Sequence, residues 1–204
     1  MRIGVLALQG AFREHCQALG RLGATAAEVR RPRDLEGLDA LVIPGGESTT
    51  IRLLMSEYAL EPELRDRIAQ GFPVLGTCAG MIVLARRVDG HEVRGLDALN
   101  VEVRRNAFGR QVDSFEADLS VPVLGAETFH AVFIRAPVVA SVEPGVETLA
   151  CLPDGRIVAV RQGAIVGLAF HPELTADLRF HRYFLSLVAT RPAPTGGELV
   201  PIVG

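Results

Sequence analysis

The stretch that most constrains this chain is Phe72-Pro73-Val74-Leu75-Gly76-Thr77-Cys78-Ala79-Gly80-Met81-Ile82-Val83-Leu84-Ala85. An apolar run ends at Gly76. A cysteine follows, then a small residue and a glycine, and then a second apolar run with helical character. The pattern reads as strand, sharp turn and helix with a thiol at the apex, a Gly-x-Ser-x-Gly elbow with Cys in place of Ser. The glycines leave room for the tight turn and for close backbone approach. The helix start offers free N–H groups and the positive end of a helix dipole, which favour the reactive thiolate. The competing reading is a small buried cysteine beside a packing glycine.

The chain upstream alternates strand and helix. Ile3–Leu8 reads as a buried strand, apolar throughout rather than alternating, Ala40–Ile43 as another buried strand, and Thr25–Val29 and Phe72–Thr77 as two further strands. Ala11–Leu22 reads as a helix with Phe12, Cys16 and Leu19 on one face and Glu14 and His15 toward the polar side. Pro44-Gly45-Gly46 ends the third strand, and a helix opens at Glu47-Ser48-Thr49-Thr50 with Ser48 or Thr49 as its cap. Pro62 starts a further helix. Such alternation predicts a mostly parallel α/β sheet flanked by helices, with function at the carboxyl ends of the strands. Gln9-Gly10, Gly45-Gly46 and Cys78 all fall at such ends.

From Val88 to Val160 helical periodicity fades. Leu99–Val103, Val112–Ala117, Ala131–Arg135, Thr148–Leu152, Ile157–Val160 and Ala164–Phe170 are strand candidates, an antiparallel section that extends the sheet. Thr175–Ala189 reads as a closing helix. Residues 1–190 are expected to form one domain and 191–204, rich in Pro and Gly, a flexible tail.

His171-Pro172-Glu173 ends the last strand. Two residues apart on extended backbone, His171 and Glu173 face one side with Cα atoms about 6.5 Å apart. The carboxylate can reach the far imidazole nitrogen and hold the ring, as the acid of a triad does. Taken alone, the pair is better read as a strand-end histidine making a local hydrogen bond beside a solvent-facing acid. Beside an elbow cysteine it becomes a Cys–His–acid set. His15 and His181 read as surface or packing residues on helices. His130, ahead of a strand, could face the crevice but has no acid near it in sequence. Gly45-Gly46 supplies backbone N–H groups suited to an oxyanion or a ligand carboxylate, with a phosphate as the rival ligand. Arg135, at the end of an apolar strand, calls for a partner.

Bulk properties remove other classes. Lys+Arg is 21 and Asp+Glu 24, a net charge of −3 with no basic stripe, so nucleic acid is a poor partner. The three cysteines are too few and scattered for a disulfide framework or zinc ribbon, which suits a cytoplasmic protein. The apolar N-terminus is too short for a signal peptide, and no apolar run is long enough to span a bilayer.

The elbow and the His171-Pro172-Glu173 end resemble class I, triad-type glutamine amidotransferases, whose fold is flavodoxin-like. Leu8–His15, Pro44–Thr49, Gly76–Met81, Arg105–Glu116 and Phe133–Pro137 resemble more closely the glutaminase subunits of pyridoxal 5′-phosphate synthase, with Arg105–Glu116 the most specific stretch. That resemblance runs from Ile3 to about Leu187. It implies Cys78 as nucleophile with His171 and Glu173 as relay, and glutamine contacts from Gly46, Glu47, Ser48, Arg105, Ile134 and Arg135. It implies an oxyanion held by the backbone N–H groups of Ala79 and Gly46. It further implies no metal or cofactor, and a ring-forming, PdxS-type synthase subunit as partner in a large hetero-oligomer. A γ-glutamyl hydrolase, a cysteine peptidase or a non-catalytic subunit are the rival readings.

Overall fold

The computed structural model describes residues 1–92, 95–105, 107 and 114–190. Much of the Arg105–Glu116 stretch, and the whole predicted tail 191–204, lie outside the described residues.

In chain order the elements are β1 (Arg2–Leu6), α1 (Phe12–Arg21), β2 (Thr25–Val29), β3 (Ala40–Ile43), α2 (Ser48–Glu57), α3 (Leu60–Ala69), β4 (Val74–Thr77), α4 (Ala79–Leu84), β5 (Ala85–Val88) and β6 (His91–Glu92). They continue with β7 (Leu99–Arg104), β8 (Ser114–Leu119), β9 (Phe129–Ile134), β10 (Val138–Val142), β11 (Glu147–Cys151), β12 (Ile157–Gln162), β13 (Ile165–Leu168) and α5 (Arg179–Ala189). The main sheet runs β2-β1-β3-β4-β13-β12-β10-β7-β5-β6, with β11 paired to β12. The first five strands pair in parallel. From β13 onward β12, β10 and β7 pair antiparallel, and β5 returns to a parallel pairing with β7. β8 and β9 form a separate antiparallel pair.

The parallel half follows from composition. β3, β4 and β13 are buried at every residue, as a sheet covered on both faces demands. β4 is central: Gly76 sits in register between Ile43 on one side and Gly167 on the other. Phe129, Phe133, Phe170 and Phe180 pack as a ring cluster beside the sheet, mostly edge to face.

Several boundaries differ from expectation. α3 begins at Leu60, after Ala59 in the left-handed region, so Pro62 lies inside its first turn rather than at its start. α5 begins at Arg179, because Pro172–Leu174 forms a 3-10 turn and Asp177 accepts from the Arg179 N–H at 3.0 Å. β5 and β10 were not foreseen. β5 follows α4 directly and reads as helix continuation, and β10 exposes three of its five residues. On α1 the buried residues are His15, Ala18 and Leu19, while Phe12 and Cys16 are only partly covered. The helix is rotated from the expected face because a buried polar residue, His15, points inward.

Candidate active site

Cys78 stands between β4 and α4 at φ 49°, ψ −107°, a region that non-glycine residues rarely occupy. Such strain, held by its surroundings, is what a nucleophile elbow displays. The surroundings are tight. A Cβ at Gly80 would overlap the Ile43 carbonyl, and one at Gly76 would come within 2.7 Å of the Gly80 backbone. The glycines of the motif are therefore demanded by close approach of β3, β4 and α4.

Register brings the imidazole to the thiol. Thr77 pairs with Leu168, and the Cys78 N–H donates to the Leu168 carbonyl at 2.7 Å. Three residues on, the His171 N–H donates to the Val132 carbonyl of β9 at 2.9 Å. His171 Nδ1 lies 2.7 Å from Glu173 Oε1, and the ring stands beside Cys78, whose thiol donates to the Ile134 carbonyl at 3.8 Å. A Cβ on Gly45 would overlap the His171 ring and lie 3.2 Å from Cys78 Cβ, so the Gly45-Gly46 turn closes over both. Burial works to lower the His171 pKa, but the adjacent Cys78 sulfur and the Glu173 carboxylate outweigh it and lift the pKa to about 10. At neutral pH the ring is then an imidazolium beside the sulfur.

Gly10, Ala11, Gly45, Gly46, Glu47, Ser48, Cys78, Ala79, Ile82, Arg105, Ile134, Arg135, His171 and Leu174 line a cleft of about 360 Å³. Every residue named from the sequence for glutamine or the oxyanion is in this lining, and Glu173 stands buried behind His171. The side chains are not all free toward the cleft. Glu47 is the α2 cap, in place of the expected Ser48 or Thr49. Its carboxylate accepts from the Thr49 and Thr50 N–H groups at 3.0 and 2.7 Å and from the Thr50 hydroxyl. Those bonds, the hydroxyl foremost, hold its pKa down at about 2. Arg105 is tied to Asp89, its Nε donating at 2.7 Å and its backbone N–H at 3.0 Å. Arg135 is exposed, so its charge is hydrated rather than buried and needs no protein partner.

Gln9, placed by the sequence with Gly10 at a strand's carboxyl end, was given no specific role in the site. Its Oε1 accepts the Glu47 N–H at 2.7 Å and so fixes the Gly45-Gly46 turn from β1. Its place at the carboxyl end of a central strand was the available signal. His130 does not reach the crevice. It is exposed on β9, with Nδ1 2.9 Å from Asp118 and Nε2 3.0 Å from Glu116, acids that strand pairing with β8 supplies. His15 and His181, read as surface or packing residues, are fully buried, with His15 3.3 Å from Glu173 and His181 3.0 Å from His15. Among the described residues no group of three or more His, Cys, Asp or Glu is placed to hold a metal ion, and no helix is long and apolar enough to cross a membrane.

This geometry has close counterparts. The profile of the SNO glutamine amidotransferase family matches residues 5–190. The chain belongs to the SNO glutamine amidotransferase family. Within that family, a Moorella thermoacetica protein named pyridoxal 5′-phosphate synthase subunit PdxT is 57% identical over 188 residues, covering 92% of this chain and all of the relative. One of the same name from Clavibacter sepedonicus is 58% identical over 91% of this chain and 90% of its own. A crystal structure of a glutamine amidotransferase superposes with a TM-score of 0.86 at 54% identity, covering 92% of this SNO-family chain and 98% of the other. The mixed sheet is thus the class I glutamine amidotransferase fold.

Proposed function

We propose that this chain is the glutaminase subunit of a pyridoxal 5′-phosphate synthase, hydrolysing L-glutamine to L-glutamate and ammonia. The observation that carries the reading is a cysteine at a strained elbow sharing one cleft with His171, whose ring is hydrogen-bonded to Glu173. The Cys78 thiolate attacks the side-chain amide carbon of glutamine. The oxyanion that forms is met by the backbone N–H groups of Ala79 and Gly46. His171 gives its proton to the departing nitrogen, leaving a thioester and ammonia. The neutral ring then takes a proton from water, which attacks the thioester and releases glutamate. Glu173 holds the ring and stabilises its charged form throughout. Arg105, Ile134, Arg135, Glu47 and Ser48 form the wall that receives the amino-acid end of glutamine.

Ammonia released to water would be protonated and lost as a nucleophile, so it passes directly to a synthase subunit docked over the cleft. The free thiols of Cys16, Cys78 and Cys151 suit a cytoplasmic setting. The test is ammonia release from glutamine by the full chain, with and without the partner synthase subunit. Turnover should depend on the partner and on Cys78, and an electrophilic glutamine analogue should label Cys78 alone. Labelling at Cys16 or Cys151, or unchanged turnover by Cys78→Ala, refutes the assignment. Strong turnover without any partner would point instead to a self-sufficient hydrolase.

A further inference from the structure

Behind the triad lies a second imidazole pair that the reaction above does not use. Glu173 Oε1 is bound by His171, but Oε2 points inward, where His15 Nε2 lies 3.3 Å away. His15 Nε2 is also 3.1 Å from Thr77 Oγ1, and His15 Nδ1 is 3.0 Å from Nε2 of His181 on α5. His15, His181 and Thr77 are 0% exposed. Four separate elements thus meet around one carboxylate: α1, α5, the end of β4 and the turn after β13.

The tautomers follow from the partners. A hydrogen on His15 Nδ1 would aim a bare Nε2 lone pair at the Glu173 carboxylate. It would also force His181 to accept at Nε2 and leave an N–H on its buried Nδ1, which has no partner among the described residues. The opposite arrangement avoids both. His181 Nε2–H donates to His15 Nδ1, and His15 Nε2–H goes to Thr77 Oγ1 while lying 3.3 Å from Glu173 Oε2, which has no other partner among the described residues. We propose that His15, backed by His181, is a positioning residue for the triad, holding the second oxygen of Glu173 so that the first stays fixed on His171.

Charge bookkeeping agrees. Glu173 is faced by His15 and His171, His15 by Glu173, His171 and Glu14, and His181 by His15 and Glu173. Burial lowers the pKa of His15 despite Glu173, and burial and then His15 push His181 down to about 3. Both rings are neutral donors. Burial works to raise the Glu173 carboxyl, but His15 on one side and His171 on the other hold it below its usual value. A carboxylate on a three-residue turn, gripped at one oxygen only, would be free to rotate. With its second oxygen drawn toward the His15 N–H 3.3 Å away, it presents a fixed acceptor to His171 Nδ1, as outer partners do for metal-ligating histidines. The same helix that carries His15 begins against the oxyanion turn, where the Ala11 N–H donates to the Gly45 carbonyl at 3.3 Å.

The kinetic consequence rests on the glutaminase reading, whereas the carboxylate grip does not, and the test separates them. His15→Leu removes the donor, and His15→Gln can return an amide N–H near the Nε2 position. In the complex with the synthase subunit, His15→Leu should lower kcat by roughly 10- to 100-fold with KM within about twofold, the range found for outer-shell and misplacement effects. His15→Gln should recover most of the loss. In the isolated chain, the His171 ring followed by NMR should titrate at higher pH in His15→Leu, because Glu173 with one donor fewer is a stronger base. Wild-type kcat in His15→Leu, a loss confined to KM, equal losses in folded Leu and Gln variants, or an unshifted His171 titration each overturns the proposal. If His15→Leu does not fold, His181→Leu tests the same chain of donors and should give a smaller drop in kcat. If the wild-type complex releases no ammonia, the glutaminase reading fails, while the His171 titration still decides this one.

Discussion

Glu173 divides three imidazoles into two environments within one site. On the crevice side, His171 meets a thiol and a carboxylate, and its pKa rises to about 10. On the core side, His181 meets only another ring and apolar packing, and its pKa falls to about 3. Residue type is the same and burial is heavy for both. What differs is whether an anionic or anion-forming partner is within hydrogen-bond reach, because desolvation penalises the charged ring in either place. The crevice side therefore carries a mobile proton, and the core side carries fixed dipoles.

Substitutions on the two sides should fail in different ways. The largest effect is expected from His171→Asn, which removes the proton carrier. Glutamine turnover in the complex should drop by roughly 10⁴-fold or more, while urea unfolding changes little. A comparable loss of stability would mean that this side is structural too. His181→Leu should do the reverse. It deprives His15 Nδ1 of its donor and should cost about 1–3 kcal/mol in urea unfolding. The pH dependence sharpens the contrast. Because the folded pKa of His181 lies below the ordinary 6.5, the unfolded chain binds a proton first as pH falls. Stability is intact above 6.5 and declines as pH drops toward 3, and His181→Leu should flatten that decline. An unchanged acid slope in the variant would show that the ring is already charged in the fold.

The smallest effect belongs to Glu47, at the exposed rim of the same cleft. Its folded pKa of about 2 lies below the ordinary carboxylate value, so its capping contribution is present above pH 4.5 and is lost as pH falls through 2. Glu47→Gln should cost about 0.5–1 kcal/mol at pH 7, by urea unfolding, and less at pH 3. A cost that does not shrink with acid would place the effect elsewhere than in the carboxylate.

The parallel half of the molecule was legible because its strands are short local runs, mostly apolar, set between helix and turn signals. β2 and β3 match the sequence reading residue for residue, and the elbow falls where Gly76, Cys78 and Gly80 put it. The antiparallel half was less so. β10 carries both buried and exposed positions without a clean alternation, and β5 continues an apolar helix without a break. The 3-10 turn at Pro172 displaced the start of α5 for a similar reason. A proline that can open a helix can equally close a single turn.

The sequence by itself determined the alternating order of the parallel half, the strained thiol turn and the pairing of Glu173 with His171, although a 3-10 turn beyond β13, not the expected extended backbone, brings the two together. Each depends on chain neighbours and on the steric limits of glycine and proline. Only the tertiary structure decided which histidines lie beside Glu173. His15 and His181 are 166 residues apart and sit on helices whose polar positions look solvent-facing when read singly. A buried imidazole is allowed only where other elements complete its hydrogen bonds, and that completion exists only once α1, α5 and the sheet have packed.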